Sequence, residues 1–174
     1  YWGLKPLEIV TAWLAFTPSK ISNGCMRVIP GSQLRGQSKH KDTFEDDNLL
    51  SRGQKIEIDI GAEKVVDLLL KPGEMSLHHV RIFHGSDSNL SNSVRIGFAM
   101  RYIPAHTIQE GGRTFAELVR GEDCYHNFDT PRPPAVEMGE EEWAIQQESL
   151  KRLNGILLDS ASQQIKVIGH RTYP

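Results

Sequence analysis

The stretch Ser76-Leu-His-His-Val-Arg-Ile-Phe-His-Gly-Ser-Asp-Ser-Asn-Leu-Ser-Asn-Ser-Val-Arg95 decides how this chain is read. It contains three of the seven histidines. Polar side chains with definite chemical uses sit inside two strand-like runs, with a turn, Gly85-Ser-Asp-Ser-Asn-Leu-Ser-Asn92, between them. A buried strand that needs only packing has no use for His79, His84 and Arg95. His84 stands just before Gly85, at the end of the first run, and a neutral imidazole there suits a transition metal. Arg95 stands across the turn. Its planar fork pairs with a carboxylate through two parallel hydrogen bonds, and Ser86 adds a hydroxyl donor nearby.

Working outward, residues 94–103 read as the strand after the turn. Arg95, Gly97, Ala99 and Arg101 share one face and Ile96, Phe98, Met100 and Tyr102 the other. Two charges separated by the two smallest side chains suit the wall of a cavity for an anionic ligand better than they suit packing. Upstream, residues 75–83 read as one strand carrying the histidines, preceded by the tight turn Lys71-Pro-Gly-Glu74. Alternation places His78 and His79 on opposite faces, so at most one of them shares the site; His79 is the expected one and His78 is expected to be structural.

The rest of the chain gives short strands between turns. Residues 6–16 alternate with both faces mostly apolar, which predicts a strand buried on both sides. The Thr17-to-Gly24 stretch is a turn by its Pro and Asn-Gly content, and residues 25–29 form a short strand that Pro30-Gly31 ends. Residues 32–51 are polar and mixed in charge, a long loop with the character of a lid; His40-Lys-Asp42 lies within it. Residues 55–60 alternate, with Ile56, Ile58 and Ile60 inward, and residues 65–70 are a continuous apolar strand. Beyond Pro104 strand character fades. Residues 114–120 suggest a helical turn or two, and Thr130-Pro-Arg-Pro-Pro134 a stiff strap. Residues 139–158 are the one convincing helix, with Glu140, Glu141 and Glu142 suited to its N-terminus and Trp143, Ile145, Leu150, Leu153 and Ile156 on an apolar side.

Strands at short spacing with Gly/Pro turns and one late helix predict a mainly β fold, a β-sandwich or jelly roll. With 174 residues the chain fits a single domain, its core in residues 1–104 and a C-terminal extension in 105–174. A net charge of -2 points to neither a nucleic-acid nor a membrane surface, and no apolar run has the length of a membrane span. Cys25 and Cys124 are far apart and form no CxxC, which favours free thiols in a reducing, cytoplasmic setting. Exposed strand edges leave a homo-oligomer open. A metal ligand, an arginine and a hydroxyl together suit a molecule that chelates at one end and carries a carboxylate at the other. 2-Oxoglutarate is such a molecule.

Tyr1-Trp-Gly-Leu4, Val10-Thr-Ala-Trp13, Asn23-Gly-Cys-Met-Arg-Val-Ile-Pro-Gly-Ser32, Pro72-Gly-Glu74, and His84-Gly-Ser86 followed by Asn89 and Arg95 resemble the phytanoyl-CoA dioxygenase family. The resemblance runs to about Pro104. It implies a double-stranded β-helix, a cupin-like jelly roll, and an Fe(II)- and 2-oxoglutarate-dependent dioxygenase that hydroxylates an unactivated C–H bond of a small organic substrate. It implies that His84 is the distal iron ligand, that Arg95 and Ser86 bind the far carboxylate of 2-oxoglutarate, and that Trp13 lines that pocket. His79 and Arg101 fall to the substrate or the surroundings of the metal. The family's other two iron ligands form a His-x-Asp motif, expected upstream of Tyr1-Trp2, so the activity is assigned to a longer parent protein and not to this stretch alone. Two rivals stay open: a halogenase of the same fold, and a metal-free jelly-roll module in which Arg95 and Arg101 grip an anion.

Overall fold

The computed structural model describes residues 2–44, 50, 53–61 and 63–158. In chain order its elements are β1 (Leu4–Lys5), β2 (Val10–Ala15), β3 (Met26–Val28), β4 (His40–Asp42), β5 (Gln54–Ile56), β6 (Val66–Asp67), β7 (Met75–His79), β8 (His84–Ser86), β9 (Gly97–Tyr102), β10 (Ile108–Gln109) and α1 (Glu140–Leu158). Two compact units emerge, Leu7–Lys39 with Ile56–Pro104, and Tyr1–Pro6 with His40–Lys55 and Ala105–Pro174.

The first unit is built from two three-stranded antiparallel sheets, β7-β2-β9 and β6-β3-β8. Ile9, Ala12, Ala15, Cys25, Val28, Ile29 and Phe83 are its buried apolar residues. The expected strand at 75–83 is corrected. β7 ends at His79, and His84 opens a separate strand in the other sheet. Hydrogen bonding makes the crossing. Val80 N donates to Ile9 O (3.0 Å) on the first sheet, while Ile29 N donates to Phe83 O (3.0 Å) beside the second. Ser32, with no exposed surface, accepts from Phe83 N through its hydroxyl at 2.8 Å.

The Asn23-Gly24 turn holds the loop that follows β8. Asn23 Oδ1 accepts from Lys20 N and its Nδ2 donates to Pro18 O, both at 2.8 Å. Gly24 has a φ of 72°, and a Cβ there would run into the carbonyl of Asp87. Only glycine satisfies both demands. Leu90 N donates to Ser22 O (3.1 Å), so turn and loop are tied together.

The strand at 6–16 is not buried on both sides. On the face of β2 away from Trp13, Val10 and Phe16 are exposed, as are Met75 and Leu77 on β7 and Phe98 and Tyr102 on β9. The strand at 65–70 shortens to Val66–Asp67, with Leu69 exposed and Leu70 in an isolated bridge to Ser19. Ile56 and Ile58 are half-buried as expected, but Ile60 is exposed.

In the second unit, β1 pairs with β10 and β4 with β5, so His40–Asp42 is a strand within the predicted loop. Residues 45–49 and 51 of that loop lie outside the described residues, as does His170. Residues 114–120 form no helical turn. Phe115 instead makes a parallel bridge to Asp129. The helix matches its expected span. Glu142, at its start, accepts from Ala135 N and Arg132, both at 3.0 Å, and these donors lower its pKa, the Ala135 amide most. Trp143, expected on the packed side, is 55 % exposed. Ile145, Leu150, Leu153 and Ile156 are shielded as expected, and Arg152 joins them, with Ile156 against Gly111 and Gly112 and the Arg152 guanidinium 4.5 Å from the Phe115 ring centre.

Candidate functional site

The site lies in the first unit, on the face of β7-β2-β9 that carries Trp13. The register sets its rows. Trp13 is flanked by Ser76 on β7 and Ala99 on β9, and Thr11 by His78 and Arg101. Side chains of paired residues share a face, so these six line one wall. The wall is not an open hollow along its length. A Cβ on Gly97 would collide with the indole of Trp13, so the ring fills the space that the small residue leaves.

Arg95 reaches this wall from just before β9. Its guanidinium carbon is 5.4 Å from the Trp13 ring centre, within cation–π range, and its Nη2 is 3.5 Å from Ser86 Oγ. The backbone on both sides of Arg95 is pinned by one side chain. Thr17 Oγ1 donates to Val94 O (3.0 Å) and accepts from Ile96 N (2.8 Å). Among the described residues the side-chain partners of Arg95 are the Trp13 ring and Ser86, and no carboxylate pairs with it. Asn89 shapes the loop between, donating to Ser93 O (2.7 Å) and accepting from Ser91 N (2.9 Å).

His84 and Ser86 are two apart on β8 and so point the same way. His84 Nδ1 lies 2.8 Å from Ile82 O. A carbonyl can only accept, so Nδ1 carries the proton and Nε2 keeps its lone pair. That is the tautomer a metal-binding histidine uses, its other nitrogen oriented by a backbone acceptor. His84 is exposed.

The two neighbouring histidines exchange their expected places. His79 pairs with Val10, on the face away from Trp13, and its Nδ1 accepts from Arg81 N at 3.1 Å. That ties it to the crossing between the sheets, and the expectation that His79 shares the site is corrected. His78 faces the site, its ring centre 5.7 Å from that of His84. Burial, chiefly, and the neighbouring His84 and Arg101 lower its pKa, so the neutral imidazole is favoured. Arg101 shares this row, as expected. Its side chain remains solvent-accessible, but the protein around it removes part of its hydration and lowers its pKa. Nothing in the local sequence marks His78 over His79; only the pairing register does. Among the described residues, no group of three or more His, Cys, Asp or Glu side chains could hold a metal ion.

With this geometry in place, the chain can be set beside known proteins. The profile of the phytanoyl-CoA dioxygenase family matches residues 1–97. The chain belongs to this family. No curated protein matches it. Among solved structures, the apo form of the non-haem monooxygenase ThoJ is similar at 30% identity and a TM-score of 0.75, over 91% of this chain and 59% of ThoJ. A ThoJ–Ni complex is similar at 27% identity and a TM-score of 0.70, over 90% of this chain and 55% of that one. The chain thus spans less than two thirds of the length of these relatives. The two antiparallel sheets are the double-stranded β-helix of the phytanoyl-CoA dioxygenase fold, and the late helix lies beyond the residues that the family profile matches. No helix of the described residues is long and apolar enough to cross a membrane.

Proposed function

We propose that this chain carries the cosubstrate half of a non-haem iron, 2-oxoglutarate-dependent dioxygenase that hydroxylates an unactivated C–H bond of a small organic molecule. The observation that carries the reading is Arg95, set between the Trp13 ring and Ser86 Oγ with no protein carboxylate on it among the described residues. A guanidinium in that position offers its N–H donors to an external carboxylate. Family membership supports iron as the partner metal.

The residues present fit part of such a centre. His84, with Nδ1 engaged by Ile82 O and Nε2 free, supplies one imidazole to the ion. A facial triad also needs a second histidine and a carboxylate, and among the described residues no such group gathers around His84. Iron held there would supply the oxygen-activating chemistry, with 2-oxoglutarate as the co-reductant. The chain's own part is to hold the far carboxylate with Arg95 and Ser86, to wall the pocket with the indole of Trp13, and to keep the His84 ring in one tautomer. Arg101 adds positive charge to the same face.

The test is calorimetric titration of the chain with Ni(II), then with 2-oxoglutarate, together with succinate release under Fe(II) and oxygen. Metal-dependent 2-oxoglutarate binding that is lost in His84→Ala supports the reading, and succinate release completes it. Carboxylate binding that ignores metal and His84 favours the metal-free binding module instead.

A further inference from the structure

A cavity of about 330 Å³ lies in the second unit, between the first half of α1, the strap at 130–134 and Phe115. Phe115, Pro131, Pro134 and Ile145 supply its apolar walls. The helix sequence explains the gap. Positions 145, 149, 152 and 156 form the inner stripe of α1, and at 149 that stripe carries a serine where an apolar side chain would close the space. Ion pairs prop the gap at both ends. At the helix start Arg132 donates to Glu141 (2.6 Å) and Glu142 (3.0 Å). Further along, Arg152 sits 4.5 Å from the Phe115 ring centre and donates to Asp129 (2.6 Å) and Glu148 (2.8 Å). Helix and strap are thereby held in place around a preformed space.

The lining says what the space accepts. Its volume is at the lower end of the range for small-molecule pockets, roughly 300–1,000 Å³. The two prolines are stiff and carry no N–H, so these walls leave no amide to satisfy. The charges at the rim are spent, since Arg132 and Glu142 pair with each other, and a charged ligand finds no free counter-ion there. Gln146 and Ser149 line the same cavity from one face of α1, and among the described residues neither side chain has a hydrogen-bond partner. Each can both donate and accept. We propose that this cavity is a binding site for a small neutral aromatic alcohol of the phenol type, its ring between Phe115 and the two prolines and its hydroxyl on Gln146 and Ser149. Aromatic rings in edge or offset contact gain more than their buried area gives, and a phenolic hydroxyl, donor and acceptor at once, meets both polar side chains. The site uses neither metal nor 2-oxoglutarate and stands independently of the function proposed above.

The experiment titrates the full chain, without metal, with three probes of one shape. These are 4-ethylphenol, ethylbenzene, which lacks the hydroxyl, and 4-ethylcyclohexanol, which lacks the aromatic ring. Binding is read by NMR from the Ile145 methyl groups, which a bound ring shifts, and from the Gln146 side-chain amide. 4-Ethylphenol is expected to move both sets of signals saturably, and each of the other two to bind about fivefold to tenfold more weakly. Gln146→Leu is expected to bring 4-ethylphenol down toward the affinity of ethylbenzene. Ser149→Leu, which fills the gap, is expected to abolish binding of all three while the helical circular dichroism is kept. If 4-ethylphenol leaves the Ile145 and Gln146 signals of the unaltered chain unmoved, the site is overturned, and that readout does not depend on any variant folding. Equal binding of the three probes would mean that the cavity reads neither ring nor hydroxyl, and the proposal falls. Undiminished 4-ethylphenol binding in a folded Ser149→Leu would put the probe elsewhere and overturn it too.

Discussion

The guanidinium of Arg95 rests over the indole of Trp13, 5.4 Å from its ring centre, and Thr17 clamps the backbone on both sides of it. The arginine is thereby pre-oriented, and among the described residues only its Nη2 has a side-chain hydrogen-bond partner, Ser86. Arg95→Lys keeps the charge but loses the fork and the stacking. It is expected to weaken 2-oxoglutarate by about 1.5–3 kcal/mol, more than tenfold, with the melting temperature nearly unchanged. Calorimetry alongside thermal melts checks both halves. Equal binding by lysine and arginine would show that the fork is not used.

The same stack depends on a missing side chain. Trp13 lies where a Cβ on Gly97 would be, so Gly97→Ala forces the ring away or bends β9. Overpacking of this kind costs about 1–3 kcal/mol. The substitution is expected to lower the denaturant midpoint and to change the tryptophan fluorescence. Ala99→Gly, one pair along the strand, is the control expected to leave the indole in place.

How far all this could be read from residues alone depends on range. The helix is legible because its acidic start and apolar spacing are local, and α1 matches its expected span. The 94–103 alternation is local too, and it puts Arg101 on the correct face. The break at Val80 is not local. Residues 75–83 look like one strand, and only the bonds to Ile9 and Ile29 show the chain leaving one sheet for the other. The choice between His78 and His79 has the same origin, since alternation separates them but the register against Val10 and Thr11 decides which one faces in. Trp143 is a third case. Helical spacing groups it with Ile145 and Ile156, yet the packed side, where Ile156 meets Gly111, takes Arg152 on the Phe115 ring and leaves Trp143 exposed.

The two cysteines should react very differently. Cys25 is 2 % exposed, and burial, then the charge of Asp67, raises its pKa. Cys124 is exposed. The thiolate is the reactive form, so an aromatic disulfide reagent is expected to titrate one thiol in the folded protein and the second only after denaturant is added. Two fast thiols under native conditions would show that the β3 region opens readily.

Acid should loosen the second unit through Asp129. Its carboxylate accepts from Arg152 at 2.6 Å and Arg113 at 3.0 Å, and these bonds, that of Arg152 first, hold its pKa below the usual 3.8. A depressed folded-state pKa means stabilisation that is complete above the unfolded value and is lost as pH falls through the folded one. The melting temperature is therefore expected to be insensitive to this group above about pH 5 and to fall below pH 4. Asp129→Asn is expected to lower it at neutral pH and flatten the acid limb, both followed by helical circular dichroism.

The final prediction concerns the outer face of β7-β2-β9. Val10, Phe16, Met75, Leu77, Phe98 and Tyr102 are all exposed on it, and Phe16 and Phe98 stack with ring centres 6.3 Å apart. Apolar patches of this extent mark a surface that binds something or aggregates. β7 and β9 are the edges of this sheet, and edge strands favour pairing with another chain. The chain by itself is expected to bind an apolar fluorescent dye and to associate as its concentration rises. Leu77→Thr with Phe98→Thr is expected to reduce both without touching Trp13 and Arg95, on the opposite face, or His84, on the other sheet. Sedimentation across a concentration series reads the association. A monomer at every concentration, with no dye bound, would mean that this face is shielded in solution.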